Sequence, residues 1–275
     1  MFLAGSLPAT GLLHLRMLCT LGMIARLGSQ NILHQHGRHI LLSADQYSTK
    51  KSSWFLSLRE ISRKYGLPDP LLVLQSPPTK SHWKSKCKSL VIDFFERKLR
   101  AEAEVLPSLQ YFKPQFMSLT QPHPLWLNAN SPFEVSKAVI VARMLSGRYR
   151  TDLLSRHWTK ENPDGHCRLP NCSNEVGSLH HILVDCPGLV ETRARMIRWW
   201  SAFLVSRPYL FHVVEHYSLK QEDLFIQFLL DPSTLPLIIA NPDPNIMKDC
   251  LYLSRTWCFS IHLARSKLLR QLQLK

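Results

Sequence analysis

Apolar residues recur every three or four positions along most of the chain, which is the spacing of a helix with one buried face. This periodicity predicts helices at residues 9–27, 31–42, 51–65, 80–104, 131–153, 191–203, 221–230 and 246–270. Proline-rich segments separate several of these helices. The predicted fold class is therefore mainly α, an irregular array of many helices.

The same periodicity selects residues for the core. In the helix at 51–65, Ser52 or Ser53 can cap the first turn, and the apolar residues that face inward are Trp54, Phe55, Leu58 and Ile61. In the helix at 9–27, the predicted core residues are Leu12, Leu15, Leu18, Met23 and Leu27.

The helix that begins at Ser131 combines an apolar face with basic residues. Ser131 and Glu134 fit a capping box, and Pro132 occupies the first helical position, where its missing N–H costs nothing. Gly147 weakens the helix and suggests a bend or a close approach of another segment there. The predicted apolar face contains Val135, Ala138, Val139, Ala142, Leu145, Tyr149 and Leu153, which leaves Lys137, Arg143, Arg148, Arg150 and Arg156 for the other faces.

Residues 167–187, called the Cys/His unit below, have the composition of a metal site. Cys167-x4-Cys172 and His181-x4-Cys186 supply three thiolates and one imidazole, a common tetrahedral zinc set. Four protein ligands would leave no position for water, so the predicted role of one Zn²⁺ is structural. His180 is an alternative to His181 and His166 is a further spare donor, while the competing interpretation is ordinary buried thiols and surface histidines.

Charge indicates the kind of partner. The 275 residues carry a formal net charge of +14 with 34 Lys and Arg, which favours RNA, DNA or another anionic surface. The seven cysteines show no disulfide framework, which favours an intracellular location, nuclear or cytoplasmic. No apolar run is long enough for a membrane span. Residues 1–44 lack acidic residues, as mitochondrial presequences do, but a packed helix pair is the favoured interpretation.

Motifs for catalysis are missing from the sequence. It contains no Asp-Asp pair, no phosphate-binding G-x-x-x-x-G-K-[ST] loop and no G-x-S-x-G nucleophile motif. The sequence therefore favours binding over enzymatic activity. Arg193 and Arg195 add basic residues to the predicted nucleic-acid surface, and the nearby Trp199 and Trp200 could stack on bases, although core packing is the favoured interpretation.

Four regions follow from these patterns. Residues 1–79 form an N-terminal helical, thumb-like region, and residues 80–130 a basic helix with a proline-rich connector. Residues 131–200 contain the basic helix and the Cys/His unit, and residues 201–275 a C-terminal helical region.

Two stretches carry a resemblance to a known family. Ala142-Arg-Met-Leu-Ser-Gly-Arg-Tyr-Arg-Thr-Asp-Leu-Leu-Ser-Arg-His-Trp158, followed by the Cys…Cys…Leu-His-His-Ile-Leu-Val-Asp-Cys-Pro cluster, resembles the C-terminal region of LINE-type (non-LTR) retrotransposon reverse transcriptases. Shorter similar stretches, such as Tyr65-Gly-Leu-Pro-Asp-Pro70, extend the resemblance over nearly the whole chain.

The resemblance implies a function. In that family the region follows the polymerase palm, supplies thumb-like helices and carries a zinc knuckle that helps to hold template RNA or target DNA. It implies Cys167, Cys172, His181 and Cys186 as zinc ligands, although the family often has C-x2-C where this chain has C-x4-C. The family's endonuclease and catalytic aspartates would lie upstream of Met1, so no enzymatic activity is expected of this chain.

The expected partners are therefore RNA or DNA, bound with weak sequence specificity, and the polymerase region of a related element. Two other interpretations stay open at this point. The chain could be a zinc-stabilised protein-interaction module, or a non-functional transposon relic that folds poorly without its natural N-terminal partner.

Overall fold

A computed structural model describes residues 2–46, 53–113, 118–127, 129–158, 162–172, 174–208, 222–232 and 244–274. These residues form helices and short helical turns and contain no β-strand, so the predicted mainly α fold class is confirmed. The helices are α1 (Ala9–Arg26), α2 (Ile32–Gln46), α3 (Trp54–Tyr65), α4 (Pro70–Gln75), α5 (Lys80–Val105), α6 (Pro132–Leu145), α7 (Asp152–Ser155), α8 (Val190–Val205), α9 (Glu222–Leu230) and α10 (Pro244–Gln273). Within the described residues, none of these helices combines the length and the apolar content that a membrane crossing requires.

The helices belong to two compact units. The first unit contains Met1–Glu102 and Ser118–Pro122, and the second contains Ala103–Met117 and His123–Lys275. The division into four regions stays a prediction. Residues 114–117 and 128 of the predicted connector, and Ser52 as a cap, lie outside the described residues.

The first unit shows how partner helices decide which face of α1 is buried. Leu18 and Leu21 are fully buried, whereas Leu12, Met23 and Leu27 are about half exposed. The predicted core face of α1 was therefore wrong at these three positions. The reason is that α1 packs against α3 and α4 with the face that also carries Ile24 and Ala25.

The prediction for α3 is confirmed at its inward-facing residues. Phe55, Leu58 and Ile61 are buried, although Trp54 stays partly exposed. The helix ends at Gly66, whose φ of 66° lies in the left-handed region that favours glycine.

The second unit is organised around the long helix α10. It packs against α6, α8 and α9. Trp257 on α10 and Trp200 on α8 lie with ring centroids 5.0 Å apart, and Phe225 and Phe228 complete this aromatic cluster. The predicted core packing of Trp200 is confirmed. Arg255 is buried and donates to the Leu127 carbonyl, which ties the connector to α10.

The predicted helix at 131–153 is two helices with a turn between them. α6 begins as predicted, with the Ser131 hydroxyl accepting from the Glu134 N–H, but it ends at Leu145. Gly147 follows with a φ of 65°, and a Cβ there would lie 2.8 Å from Ser108. The predicted close approach at Gly147 is therefore confirmed, whereas the chain leaves the helix before Gly147 instead of bending within it. Thr151 caps α7.

Candidate metal centre

A short hairpin brings the first two cysteines together. The Cys167 N–H donates to the Glu175 carbonyl at 2.7 Å, beside an isolated antiparallel bridge between residues 166 and 176. Asn171 and Asn174 have positive φ angles of 66° and 57°, which asparagine tolerates better than most residues. The chain therefore reverses direction directly around Cys172.

A π-helical turn positions the second pair. The turn comprises His181–Asp185 and begins where the Ser178 hydroxyl accepts from the His181 N–H. Because the Cys186 N–H donates to the His181 carbonyl at 2.7 Å, both side chains emerge on one side of the turn. Gly188 then passes so close to the hairpin that a Cβ there would lie 2.9 Å from the Leu169 Cβ.

The four donor atoms converge. The Sγ of Cys186 lies 3.9 Å from that of Cys167 and 3.5 Å from that of Cys172, and the Cys172 Sγ lies 3.6 Å from the His181 Nε2. All four ligand atoms lie within 4.8 Å of one another. With zinc–sulfur bonds of about 2.3 Å and zinc–nitrogen bonds of about 2.0 Å, tetrahedral ligands lie about 3.8 Å and about 3.5 Å apart. The donor set therefore fits a metal ion.

Hydrogen bonds and the close approach of the thiols shift their pKa values. Hydrogen bonding with Cys186 lowers the pKa of the Cys167 thiol to about 5, and the Leu169 N–H adds to that effect. Conversely, the thiol of Cys186 has a raised pKa, chiefly because of its hydrogen bond with Cys167 and then because of burial. A cation between the sulfurs would remove the repulsion between neighbouring thiolates.

The structure places one of the two adjacent histidines in the group. His181 is buried and belongs to it, whereas the His180 Nδ1 lies 2.7 Å from a carboxylate oxygen of Asp185. The alternative ligand His180 is therefore engaged elsewhere. His166, the other spare donor, lies outside the group as well.

A buried carboxylate connects the Cys/His unit to α10, and the sequence analysis missed it. Asp152 is fully buried, and its two oxygens accept from Arg168 at 2.9 Å and Arg265 at 3.1 Å. Arg265 also donates to the Arg150 carbonyl at 2.9 Å. The sequence signal for this role was weak, because Asp152 looks like an ordinary first-turn residue of α7.

Four of the predicted phosphate-contacting residues are exposed: Arg143, Arg148, Arg150 and Arg156. Residues 148–150 form a turn between α6 and α7, called the Arg-Tyr-Arg turn below. Its central Tyr149 is buried and lies 3.2 Å from the His262 Nδ1 through its hydroxyl. The anchored tyrosine leaves the arginines on both sides of it exposed to solvent.

The other basic residues are placed differently. Lys137 is only 5 % exposed, and its ammonium binds the Glu134 carboxylate at 2.8 Å and lies over the Phe133 ring. This burial corrects the expectation that Lys137 lies on the exposed basic face. Arg193 is half-buried and donates to the Cys186 carbonyl at 2.6 Å, so it supports the Cys/His unit, whereas Arg195 is exposed.

Trp158 is an exposed aromatic residue that the sequence analysis left without a role. The residue is 68 % exposed, and it follows α7, where its backbone N–H donates to the Ser155 carbonyl. Tryptophan is enriched at binding interfaces because its ring is apolar and its indole N–H is polar, and exposed Arg156 lies two residues earlier. The only sequence signal for a role of Trp158 was its position at the end of the motif from Ala142 to Trp158.

Comparison with protein-family models, curated proteins and solved structures finds no match for this chain. The resemblance to LINE-type reverse transcriptases therefore rests on the motifs quoted above and stays a prediction.

Proposed function

We propose that this chain is a zinc-stabilised protein that binds RNA or DNA through exposed arginines beside the Cys/His unit. The observation that carries the proposal is the Arg-Tyr-Arg turn, in which a buried tyrosine fixes the backbone between two exposed arginines. In this proposal the chain resembles the C-terminal, zinc-knuckle-containing region of LINE-type retrotransposon reverse transcriptases, and its role is binding without a catalytic step.

Zinc is the favoured ion because of the donor atoms. Thiolates and imidazole suit this borderline-soft cation, whereas calcium and magnesium prefer oxygen. The ligands would be Cys167, Cys172, His181 and Cys186. Bound zinc would supply no reactive position, since four protein ligands complete its coordination, and it would hold the hairpin against the π-helical turn.

Arginines suit phosphate because each guanidinium is planar, always charged and able to donate two parallel hydrogen bonds. The buried Asp152 connects the Arg-Tyr-Arg turn to the Cys/His unit through Arg265 and Arg168. The metal centre would therefore help to fix the surface that contacts the nucleic acid. The net charge of +14 supports this assignment.

Replacing Arg148 and Arg150 together with glutamine is expected to weaken binding to all nucleic-acid sequences alike. Each lost phosphate contact should reduce the slope of log affinity against log salt by about 0.7 for a single strand. Fluorescence anisotropy with a single-stranded RNA and with a duplex DNA, at several salt concentrations, measures both effects.

The matched control is Arg97→Gln with Lys98→Gln, which removes the same two charges from the exposed side of α5. It should change the slope much less. An unchanged slope in the Arg148/Arg150 variant would contradict the assignment, and a parent protein that binds neither nucleic acid would favour the protein-interaction module instead.

Trp158→Ala is expected to weaken binding of single-stranded RNA or DNA by about tenfold and to affect duplex binding much less. Base stacking on an exposed aromatic ring contributes about 1–3 kcal/mol per base, and bases in a duplex are not free to stack on it. Trp158→Phe, which keeps a ring, should retain most of the affinity, and Trp54→Ala in the first unit serves as the control. Equal losses on single strands and duplexes would argue against stacking.

A further inference from the structure

The first unit contains a groove that is separate from the residues assigned to metal and nucleic acid. It lies between α1 and the beginning of α5 and encloses about 490 Å³, within the size range of binding sites. Its walls combine exposed apolar side chains with basic side chains, and its lining includes no carboxylate.

The floor of the groove is rigid. Trp83 is buried there, and its indole N–H donates to the Leu18 carbonyl at 2.8 Å. The ring lies directly against Gly22, where a Cβ would overlap it, so α1 and α5 approach closely at this point. The groove is therefore a fixed feature of the packing of two helices.

One wall is an exposed apolar stripe on α1. Met23 is 51 % exposed and Leu27 is 48 % exposed, and both line the groove. Leu12, which is similarly exposed, lies on the same face of α1 by helical periodicity. At 1.5 Å per residue the stripe from Leu12 to Leu27 is about 22 Å long, or about four helical turns.

The rim is basic. Arg26, Lys80 and Lys84 line the groove, and among the described residues none of them forms an ion pair. Arg26 donates to the Pro78 carbonyl at 3.4 Å. Among the described residues these three cations have no carboxylate partner, and around an apolar floor they are complementary to a ligand that is apolar on one side and acidic on the other.

We propose that this groove binds an acidic amphipathic helix of a partner protein. An α-helix that lays its apolar face into a groove is a common mode of peptide recognition, and acidic residues flanking that face would reach the three cations. A nucleic acid would not use the apolar stripe, and a flat membrane would not fit a concave floor. The proposal does not depend on nucleic-acid binding by the second unit.

The test uses the full chain and a defined probe. The probe is a fluorescein-labelled helical peptide of about five turns, with leucines on one face and glutamates on the other. Its control peptide has the same composition in scrambled order, so that charge is kept and the apolar face is lost. The amphipathic peptide is expected to bind about tenfold more tightly than the scrambled peptide.

Pairs of variants, one inside and one outside the groove, test which residues the peptide contacts. Met23→Asp is expected to weaken peptide binding by about tenfold, whereas Leu13→Asp, an equally exposed position of α1 outside the lining, should have little effect. Lys84→Glu should weaken binding by about fivefold, and Lys86→Glu, which makes the same charge change on another face of α5, should not. Circular dichroism checks that each variant keeps its helix content.

Several results would overturn the proposal. One is absence of peptide binding, and another is equal binding of the scrambled peptide. Equal losses in Lys84→Glu and Lys86→Glu would show that only net charge attracts the probe. If Met23→Asp weakens binding of a single-stranded RNA or of phosphatidylglycerol vesicles but leaves peptide binding unchanged, the groove serves a nucleic acid or a membrane instead.

Discussion

Replacing Cys167 and Cys186 together with serine is expected to abolish metal binding and to unfold the Cys/His unit. The purified parent should contain about one zinc ion per chain and the variant none. Structural zinc supplies about 10–16 kcal/mol of apparent binding free energy in small domains, and this free energy stabilises the fold. A loop-rich segment buries too little apolar surface to stay folded without it. Elemental analysis measures the metal, and hydrogen exchange of residues 162–172 and 174–189 measures the unfolding.

The two adjacent histidines provide the matched control. His181→Ala should lose zinc, whereas His180→Ala should keep it, because only His181 lies with the three thiols. Cys19→Ser, outside the cluster, should also keep its zinc. A folded parent without metal would contradict the assignment, and iron in place of zinc would contradict the identity of the ion while keeping its ligands.

The Cys/His group of the candidate metal centre was predictable from the sequence because its chemistry is rare and its spacing is local. Because three cysteines and two adjacent histidines lie within twenty residues, only a few combinations of them could bind a metal ion. The choice between His180 and His181 was not predictable, since it depends on the π-helical turn that directs one ring inward and leaves the other beside Asp185. Such a turn has no reliable sequence signal.

Exposure was harder to predict than helix position. Periodicity placed α1 and the start of α6 closely, but the buried face of α1 depends on the helices that pack against it, which periodicity does not identify. Lys137 shows the same limit, because its buried ammonium is stabilised by Glu134 on its own helix and by the ring of Tyr252 on α10. Asp152 has its partners in distant segments, so its role becomes visible only after folding.

Replacing Asp152 with alanine is expected to lower the free energy of unfolding by about 3–5 kcal/mol. The substitution leaves the buried guanidinium of Arg265 without a counter-charge, and its Nε has no hydrogen-bond partner in the described part of the chain. It also releases Arg168 of the Cys/His unit. Urea denaturation followed by circular dichroism measures the change.

The control separates the cost of an unpaired buried charge from the loss of packing. Arg168→Gln should cost only about 0–1 kcal/mol, because that side chain is 42 % exposed and Arg265 still pairs with Asp152. Replacing both buried partners, as in Asp152→Leu with Arg265→Met, should be less destabilising than Asp152→Ala alone, since no uncompensated charge is left. If the double variant were instead as destabilised as Asp152→Ala or more so, the ion pair would not be the source of the stability. Asp152 would then act only through the shape of its side chain.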